Sequence, residues 1–270
     1  FTGNLPKWKF FKSTLLSFGV PHGSVMGPFK FIIYTGPVHD IATKHGLSVH
    51  MYADDTQIYI EFDLKPHSAS EAKMKMEACI ADIRAWMRDN KLQLNESKTE
   101  LVTITPSRQK DKVNIESVHI GDCDITPTST ARNLGATFDQ NMTLHPHVSA
   151  LVKSCNWQLR RIGQIRKFLT KEASEKLVLA FISSRLDNGN SLLYGLPDYQ
   201  IQRLQRVYNT AAKILTLTSK YDRITAVLKS LHWLPVIFKI VRSEERRVWK
   251  EGGSRGGAVR SFGGWGGGGG

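Results

Sequence analysis

The sequence predicts an α+β fold, with antiparallel strands and packed helices in its first half and helices alone in its second half. Two adjacent acids, Asp54 and Asp55, separate the apolar, strand-like runs 49–52 and 56–60, which predicts a β-hairpin with both carboxylates at its tip. Apolar residues recur at helical spacing beyond residue 145, and glycine dominates the C-terminal end. We expect a mixed first domain over 1–140, a helical region over 141–241 and a disordered glycine-rich tail over 242–270.

Turn residues predict the N-terminal elements. Residues 13–20 have the character of a strand, and the glycines and prolines of 19–28 predict a loop after it. Ser24 is placed to cap the following helical segment, and one or two helices are expected up to Lys44. Gly36-Pro37 predicts a helix end, since proline cannot continue a helix.

The hairpin is predicted over 47–62, and a long helix follows it. Ser68 and Glu71 form a capping-box pattern, which predicts a helix from Ser68 to about Asp89. Short strands are expected near 99–105, 113–120 and 131–139. The apolar residues of the long helix are expected to pack on the sheet, namely Met76, Ile80, Ile83 and Met87.

Two amphipathic helices are predicted in the second half. In the first, basic residues fall outside an apolar stripe made of Val148, Leu151, Val152, Cys155, Leu159 and Ile162. In the second, the apolar stripe comprises Ile201, Leu204, Val207, Ala211 and Ile214. The basic residues beside these stripes are Lys153, Arg160 and Arg161, then Arg203, Arg206 and Lys213.

Charge and cysteine content restrict the partners. The net charge is +13 with a pI near 9.7, and the segment Ala150 to Lys220 alone carries +8, which suits a polyanion. The three cysteines are scattered and include no CxxC pair, so no disulfide partner and an intracellular compartment are expected. His145, His147 and Cys155 lack a fourth ligand at zinc spacing, which disfavours a zinc site. No apolar run is long enough for a transmembrane helix, so no membrane partner is expected.

Four segments, in this order and at this spacing, resemble the reverse transcriptase of non-LTR (LINE-like) retrotransposons. They are Gly19–Pro28, similar to that family's GVPQGSVLGP motif, Tyr52–Asp55, similar to its YADD, Asn95–Thr99, similar to its NxxKT, and Asn133–Phe138, similar to its LG strand before the thumb. The resemblance continues through 203–212 and 231–236, so it extends from about residue 5 to about 240. It implies a partial polymerase palm, an antiparallel sheet with packed helices, followed by an α-helical thumb and connection.

The resemblance implies RNA-directed DNA synthesis. A primer 3′-hydroxyl attacks a deoxynucleoside triphosphate, with two Mg²⁺ ions held by carboxylates. Asp54 and Asp55 are the implied metal ligands and catalytic residues. Lys98 is an implied catalytic residue at the leaving phosphates, or alternatively a surface lysine at a strand end.

The same resemblance implies the substrate contacts. Tyr52 and Ala53 lie beneath the primer end, and the loop residues Pro21, His22, Gly23 and Ser24 lie near the template and the incoming deoxynucleoside triphosphate. An RNA template and a DNA primer are the implied partners of the basic residues Lys153, Arg160, Arg161, Arg203, Arg206 and Lys213. The alternative for these six residues is a solvated basic face on an ordinary helical bundle.

The chain departs from the family pattern in ways that bear on activity. His22 replaces the usual Gln, and Lys30 puts a charge in a helix that is normally apolar. The family's earlier aspartate motif is expected upstream of Phe1, so we expect this chain alone to be inactive. The alternative function is a non-catalytic basic nucleic-acid-binding remnant of a decayed element, and a third reading is a decayed element without selected function. An intact element is expected in the nucleus.

The C-terminal segment has two interpretations. Residues Arg242–Val248 resemble the in-frame translation of a sequencing-library adapter, which predicts that 242–270 is an artefact. Arg255-Gly256-Gly257 is also compatible with a disordered arm that binds RNA. Amplification of the locus from genomic DNA separates the two, because an artefact is absent there.

Overall fold

The computed structural model describes residues 24–65, 67–106, 108, 109, 113, 115–219 and 221–254, with side chains up to residue 245. The predicted strand 13–20 and the loop residues Pro21, His22 and Gly23 lie outside the described residues. The chain divides into two compact units. The first comprises residues up to Leu101 together with Arg108–Pro127, and the second comprises Val102–Ser107 together with the residues from Thr128 onward.

The described part of the first unit contains three α-helices, a β-hairpin between the second and third of them, and a second, smaller hairpin near its end. In chain order the elements are α1 (Gly27–Thr35), α2 (Pro37–Lys44), β1 (Ser48–Tyr52), β2 (Asp55–Tyr59), α3 (Ser68–Asp89), a 3-10 turn (Glu96–Lys98), β3 (Val118–Ile120) and β4 (Cys123–Ile125). The predicted helices up to Lys44, the hairpin and the long helix are thereby confirmed.

The predicted helix boundaries agree with the structure, but the predicted capping interactions do not. Gly36-Pro37 separates α1 from α2, as the sequence predicts. The predicted cap by Ser24 is wrong, because α1 begins after Met26 without a side-chain cap, and only the Ser24 carbonyl accepts a bond from the Gly27 amide, at 3.1 Å. The capping box at Ser68 is also wrong, because His67 occupies the cap position with a φ of 70° and Ser68 is already helical.

The core of the first unit lies between α2, the hairpin and α3. Its buried residues are Val38, Ala42, Leu47, Val49, Cys79 and Ile83. Of the predicted α3 contacts, Ile83 is buried and Met76 and Met87 pack against the cluster, whereas Ile80 is half-buried. Full burial of one such aliphatic side chain stabilises a fold by about 1.5–3 kcal/mol, so burial of Val49 in this core stabilises the hairpin.

Helix α1 turns most of its side chains to solvent. Phe29, Ile32 and Ile33 are 59, 58 and 63 % exposed, and only Thr35 is buried. Lys30 is exposed as well, so its ammonium group keeps its hydration and the expected cost of burying it does not arise.

The strands after α3 are shorter than predicted. Residues 99–105 form no strand, and a single bridge joins Leu101 to Pro127. The strand predicted over 113–120 is represented by β3, which pairs antiparallel with β4 through Val118–Ile125, His119–Asp124 and Ile120–Cys123. Strand β4 was not predicted, because a run of three residues is too short to show alternation.

The second unit begins with a hairpin and continues as a helical bundle. Its elements are β5 (Thr130–Asn133), β6 (Ala136–Asp139), α4 (His145–Ile165), a 3-10 turn (Arg166–Phe168), α5 (Lys171–Val178), a π turn (Leu179–Ser183), α6 (Ser184–Asp187), a 3-10 turn (Asn190–Leu193), α7 (Asp198–Thr216), α8 (Ile224–Ser230) and α9 (Val236–Ser254). The single strand predicted over 131–139 is a two-stranded hairpin instead, because Leu134 and Gly135 turn the chain with φ of 45° and 85°.

The core of the second unit confirms both predicted apolar stripes. Val148, Cys155, Leu159 and Ile162 of α4 are buried together with Ile201, Leu204, Val207 and Ala211 of α7. Leu151, Val152 and Ile214 pack partly against the same cluster. Helix α9 adds Val236 and Ile240 and continues through Ser254, past the predicted boundary at Arg242.

The α+β class is confirmed at the level of mixed helices and antiparallel strands. The expected palm sheet is not continuous in the described residues, where the six strands form three separate two-stranded sheets, β1–β2, β3–β4 and β5–β6. The β5–β6 sheet lies in the second unit with the helical bundle, although the sequence places it in the first domain, 1–140.

Candidate functional site

The acid-bearing turn connects β1 and β2 with a two-residue loop. Tyr52 pairs with Asp55, so Ala53 and Asp54 form the loop and Asp55 opens β2. Ala53 has a φ of 53°, in the left-handed region that a tight hairpin turn requires. The sequence prediction that both acids lie at a hairpin tip is therefore confirmed.

Strand alternation separates the two faces of this hairpin. The cross-strand pair Val49–Ile58 points into the core of the first unit. The pair Tyr52–Asp55 is in the opposite phase, since side chains alternate along a strand, and it therefore faces outward. Tyr52 is 67 % exposed, and both aspartates are exposed.

The two carboxylates are suited to a hard cation but do not complete a site. Neither forms an ion pair or hydrogen bond with another residue in the part of the chain that the structure describes. Carboxylate oxygens are the ligands that Mg²⁺ prefers, and a polymerase-type pair of ions needs more than two of them. Within the described residues no third His, Cys, Asp or Glu joins them in a metal-binding group.

A histidine–tyrosine pair lies on the same outward face, and sequence reasoning missed it. The Tyr59 hydroxyl and His50 Nε2 are 2.9 Å apart, and the two rings stack at 5.4 Å with 25° between their planes. The pair stiffens the hairpin across its strands. The alternation of Ser48, His50 and Tyr52 with apolar neighbours was the available signal.

Lys98 lies on the 3-10 turn Glu96–Lys98 and is exposed. The turn is held by Asn95, whose side-chain oxygen accepts from the Ser97 hydroxyl at 2.8 Å and whose carbonyl accepts from the Thr99 hydroxyl at 3.0 Å. No ion pair joins Lys98 to Asp54 or Asp55 in the structure as described, so its assignment to the leaving phosphates stays a prediction. Ser24 is half-buried in a non-helical segment, and its loop neighbours are not described.

The six predicted basic residues fall into two groups. Lys153, Arg160, Arg161 and Arg206 are exposed. Arg203 donates to Gln200 Oε1 at 2.9 Å and to Ser149 Oγ at 3.0 Å, and Lys213 donates to the Asp222 carbonyl at 3.0 Å. Arg203 and Lys213 therefore form hydrogen bonds within the bundle, whereas the other four basic side chains are exposed to solvent.

Arg166 is a buried cation that sequence reasoning did not identify. It is 8 % exposed, and its guanidinium donates to the carbonyls of Leu215 at 2.8 Å, Ile214 at 3.2 Å and Leu169 at 3.0 Å. Two of these carbonyls end α7, where the helix dipole favours a positive charge. Arg166 thus joins the end of α4 to the end of α7.

The segment Leu231–Pro235, part of the family resemblance at 231–236, has a structural role in the bundle. The Trp233 ring stacks on Tyr208 of α7 at 4.5 Å, and Lys239 of α9 lies over Tyr208 at 4.4 Å while pairing with Asp187 at 3.1 Å. Burial raises the pKa of Tyr208. The segment therefore locks α7, α8 and α9 together.

Two of the residues considered as zinc ligands, His147 and Cys155, are wholly or partly buried in the second unit. Burial raises the pKa of the Cys155 thiol to about 11, and burial lowers the pKa of His147, whose Nδ1 accepts from the Thr137 amide at 3.3 Å. A protonated thiol is a poor metal ligand. His147 thus links α4 to the β5–β6 hairpin, whereas Cys155 packs in the core of the helical bundle.

Residues 5–138 match the family model described as "Reverse transcriptase (RNA-dependent DNA polymerase)". This segment contains the hairpin tip, Lys98 and the undescribed loop. No solved structure gives a significant match. No helix among the described residues has the length and apolarity needed to cross a bilayer.

Three curated relatives align with 84 % of the chain. It is 25 % identical over 244 residues to "Probable RNA-directed DNA polymerase from transposon BS" of Drosophila melanogaster and 23 % identical over 247 residues to the corresponding protein from transposon X-element of the same species. It is 21 % identical over 241 residues to "Retrovirus-related Pol polyprotein from type-1 retrotransposable element R1" of Nasonia vitripennis. The chain spans 25 % of the length of the first two relatives and 68 % of the third.

Proposed function

Because the chain belongs over residues 5–138 to the reverse transcriptases of non-LTR retrotransposons, we propose that it is the part of an RNA-directed DNA polymerase that carries one side of the nucleotidyl-transfer site. The single observation that supports this most is the exposed hairpin tip, where Asp54 and Asp55 stand on a sheet whose other face is packed. Such a tip holds negative charge where a cation and phosphates can reach it.

Asp54 and Asp55 would hold Mg²⁺ through their carboxylate oxygens. The ion, when bound, supplies positive charge that neutralises phosphate oxygens during nucleotidyl transfer. Asp55 is fixed by its pairing with Tyr52, whereas Asp54 is in the loop and has more freedom to adjust. We therefore assign orientation of the site to Asp55 and the principal ligand role to Asp54.

The neighbouring residues would bind the substrates. The exposed Tyr52 and the backbone of Ala53 would support the primer end, and Pro21, His22, Gly23 and Ser24 would lie near the template and the incoming deoxynucleoside triphosphate. Lys98 would offer its ammonium group to the leaving phosphates. These roles are carried over from the family motifs at the matching positions.

The basic helices of the second unit would bind the phosphate backbone of template and primer. Lys153, Arg160, Arg161 and Arg206 are free to do so, since their charges face solvent. Arg203 and Lys213 would contribute mainly by holding α7 in place, because their donors already have partners within the bundle. An RNA template and a DNA primer remain the proposed partners, and the nucleus the proposed location of an intact element.

Metal-directed cleavage tests the carboxylate pair without requiring synthesis. Fe²⁺ in place of Mg²⁺, with ascorbate and peroxide, generates radicals that cut the backbone beside the bound ion. We expect cuts near Tyr52–Asp55 that excess Mg²⁺ suppresses and that Asp54→Asn abolishes. Asp89→Asn is the matched control, since Asp89 is an exposed carboxylate at the end of α3. Cuts that persist in Asp54→Asn contradict the proposal.

Primer extension on an RNA template tests the activity of this chain. We expect no Mg²⁺-dependent synthesis, because the described residues group only two carboxylates where paired ions need additional ligands. Robust synthesis that Asp54→Ala abolishes would show that the missing ligand lies within the chain after all. Extension restored by adding an upstream segment with an aspartate strand would support the proposed division of the site.

A non-catalytic remnant that binds nucleic acid is the second candidate. The observation in its favour is the combination of an incomplete carboxylate group with an exposed basic surface on α4. Filter binding separates the two candidates. Salt-sensitive binding that is indifferent to Mg²⁺ and to Asp54→Ala favours the remnant, whereas Mg²⁺-dependent binding of a deoxynucleoside triphosphate favours the polymerase site.

A further inference from the structure

We propose that the outer side of α4 binds single-stranded nucleic acid by stacking unpaired bases on two exposed aromatic rings. The surface, here called the α4 outer stripe, comprises Lys153, Trp157, Arg160, Arg161, Lys167 and Phe168. The inference rests on the proposed function, because it specifies the form of nucleic acid that the basic helices hold.

Helix geometry places the stripe opposite the core. Val148, Cys155 and Leu159 are buried on one side of α4. At about 100° per residue, Trp157 falls on the far side of α4 from these residues. Phe168, in the 3-10 turn after α4, is assigned to the stripe by its exposure. The stripe therefore lies on the solvent side of the second half of α4, and the exposed Lys167 and Phe168 extend it into the 3-10 turn.

The two rings have far more exposure than packing requires. Trp157 is 53 % exposed and Phe168 is 76 % exposed. Single exposed apolar residues are common, but two large rings on one stripe keep a large apolar area in water. They are separated by about 18 Å along the chain axis, with a rise of about 1.5 Å per residue in α4 and about 2 Å in the 3-10 turn, so they can receive separate bases.

Each ring carries a cation on one face. The Arg161 guanidinium carbon lies 4.6 Å from the centre of the Trp157 ring, and the Lys167 ammonium lies 4.8 Å from the centre of the Phe168 ring. These contacts put a cation against each ring, and the exposure of both residues leaves ring surface on which a base could stack. A base stacked there gains dispersion from the ring while its phosphates meet the adjacent cations.

Charge complementarity selects a polyanion as the occupant. Helix α4 contains no Asp or Glu, and Lys153 and Arg160 flank Trp157 on the same outer side. Stacking selects unpaired bases, because the faces of bases inside a duplex are already covered by their neighbours. Single-stranded RNA and single-stranded DNA share this chemistry, and we take the unpaired template RNA ahead of synthesis as the occupant, since it is the single strand that the proposed function supplies.

The test compares single strands with a duplex on the full chain. Oligouridine RNA, oligothymidine DNA and a blunt RNA–DNA duplex are titrated by fluorescence anisotropy, and the single strands carry 2-aminopurine as a stacking probe. The variants are Trp157→Ala with Phe168→Ala, and Tyr194→Ala as the matched control, since Tyr194 is 58 % exposed but lies outside α4. Thermal unfolding of every variant verifies the fold.

We expect the double variant to bind both single strands about 5- to 150-fold more weakly for each base that it no longer stacks. Its affinity for the duplex and the salt dependence of binding should stay unchanged, as should every affinity of the Tyr194→Ala variant. In the wild type, 2-aminopurine should be quenched on binding.

Four results would overturn the inference, and they differ in what else they affect. The α4 outer stripe is refuted as a stacking surface if 2-aminopurine stays unquenched when the wild-type chain binds single strands. It is also refuted if the double variant binds them like wild type. Either result leaves the proposed function intact. Equal losses for single strands and duplex do the same. A chain that binds no nucleic acid at low salt contradicts the inference and the proposed function together.

Discussion

Among the glycines that the structure describes, Gly121 leaves the least room for an added Cβ. It turns β3 into β4 with a φ of 63°, and an added Cβ would meet Arg84 and Glu96, which form an ion pair at 2.8 Å. We expect Gly121→Ala to lower the free energy of unfolding by about 1–3 kcal/mol through backbone strain and displacement of this pair. Urea unfolding followed by circular dichroism measures the change.

Gly46 supplies the control for that substitution. Its φ of 72° would strain an alanine in the same way, but nothing lies within 4 Å of an added Cβ. Gly46→Ala should therefore report backbone strain alone, about 1 kcal/mol, and Gly121→Ala should exceed it. Equal losses at the two positions would mean that the Arg84–Glu96 pair adapts without cost.

Asp139 links the end of β6 to the start of α4 and should make the second unit sensitive to acid. Burial raises its pKa, but hydrogen bonds from Thr143 and from the Leu144 amide outweigh burial and leave the pKa below its usual value. A carboxyl group with a lowered folded-state pKa stabilises above its unfolded pKa of about 3.9, and this contribution disappears as pH falls through the folded-state pKa.

The variant Asp139→Asn should therefore unfold at a lower temperature than wild type at pH 7, and the difference should shrink below about pH 4. Thermal unfolding across this range tests the expectation. Thr143→Val removes one of the hydrogen bonds, at 2.9 Å, and should show a smaller change with pH than wild type. A difference that stays constant with pH would exclude the carboxylate as the acid-sensitive group.

At the scale of elements, the end of α4 brings a buried arginine close in sequence to an exposed one. Arg166 is buried on α7 carbonyls, whereas Arg161 is exposed five residues earlier in the chain. Arg166→Met should cost about 2–4 kcal/mol of stability, since three carbonyls lose a charged donor. Arg161→Met should change stability by less than about 0.5 kcal/mol and should weaken nucleic-acid binding. Chemical unfolding and anisotropy titrations of both variants measure the two effects.

The reverse pattern would be informative. If Arg166→Met left the free energy of unfolding unchanged, the hydrogen bonds to Leu215 and Ile214 would contribute little, and the junction between α4 and α7 would depend on apolar contacts such as Leu159 alone. A larger stability loss in Arg161→Met would mean that its contact with Trp157 holds the bundle and is not available to a ligand.

Elements with a repeated apolar pattern could be predicted from the sequence, and elements defined by single dihedrals or burial could not. The stripe from Val148 to Ile162 determines α4 because four turns repeat the same signal. Leu134 gives no such signal, since a leucine with positive φ is unusual and only Gly135 beside it hints at the turn. Arg166 was missed because charge predicts exposure unless the partner carbonyls are known.

The candidate site shows the same limit. The tip at Asp54 and Asp55 could be predicted because two short runs of strand character flank it, and it is confirmed. The contact between His50 and Tyr59 depends on register, which the sequence does not fix. Trp157 and Phe168 were likewise overlooked, because an aromatic residue in a helix is usually a core residue and only their exposure distinguishes them.

For the molecule as a whole, the uneven charge should decide how it meets nucleic acid. The net charge is +13, and +8 of it falls within Ala150 to Lys220. Affinity for single strands falls with salt by a slope of about 0.7 for each phosphate contact, because bound counterions are released. Changing Lys153, Arg160 and Arg161 together to glutamine should therefore reduce the slope by about 2, measured by anisotropy titrations from low to moderate salt.

The matched control removes the same charge from the first unit. Lys44, Lys75 and Lys91 are exposed there, and their joint change to glutamine lowers the net charge by the same three units. If binding depends on local phosphate contacts, this variant keeps the wild-type slope and only its association rate falls slightly. Equal changes of slope in the two triple variants would show that the chain attracts nucleic acid through its total charge, and the basic surface of α4 would then lose its assignment as the binding surface.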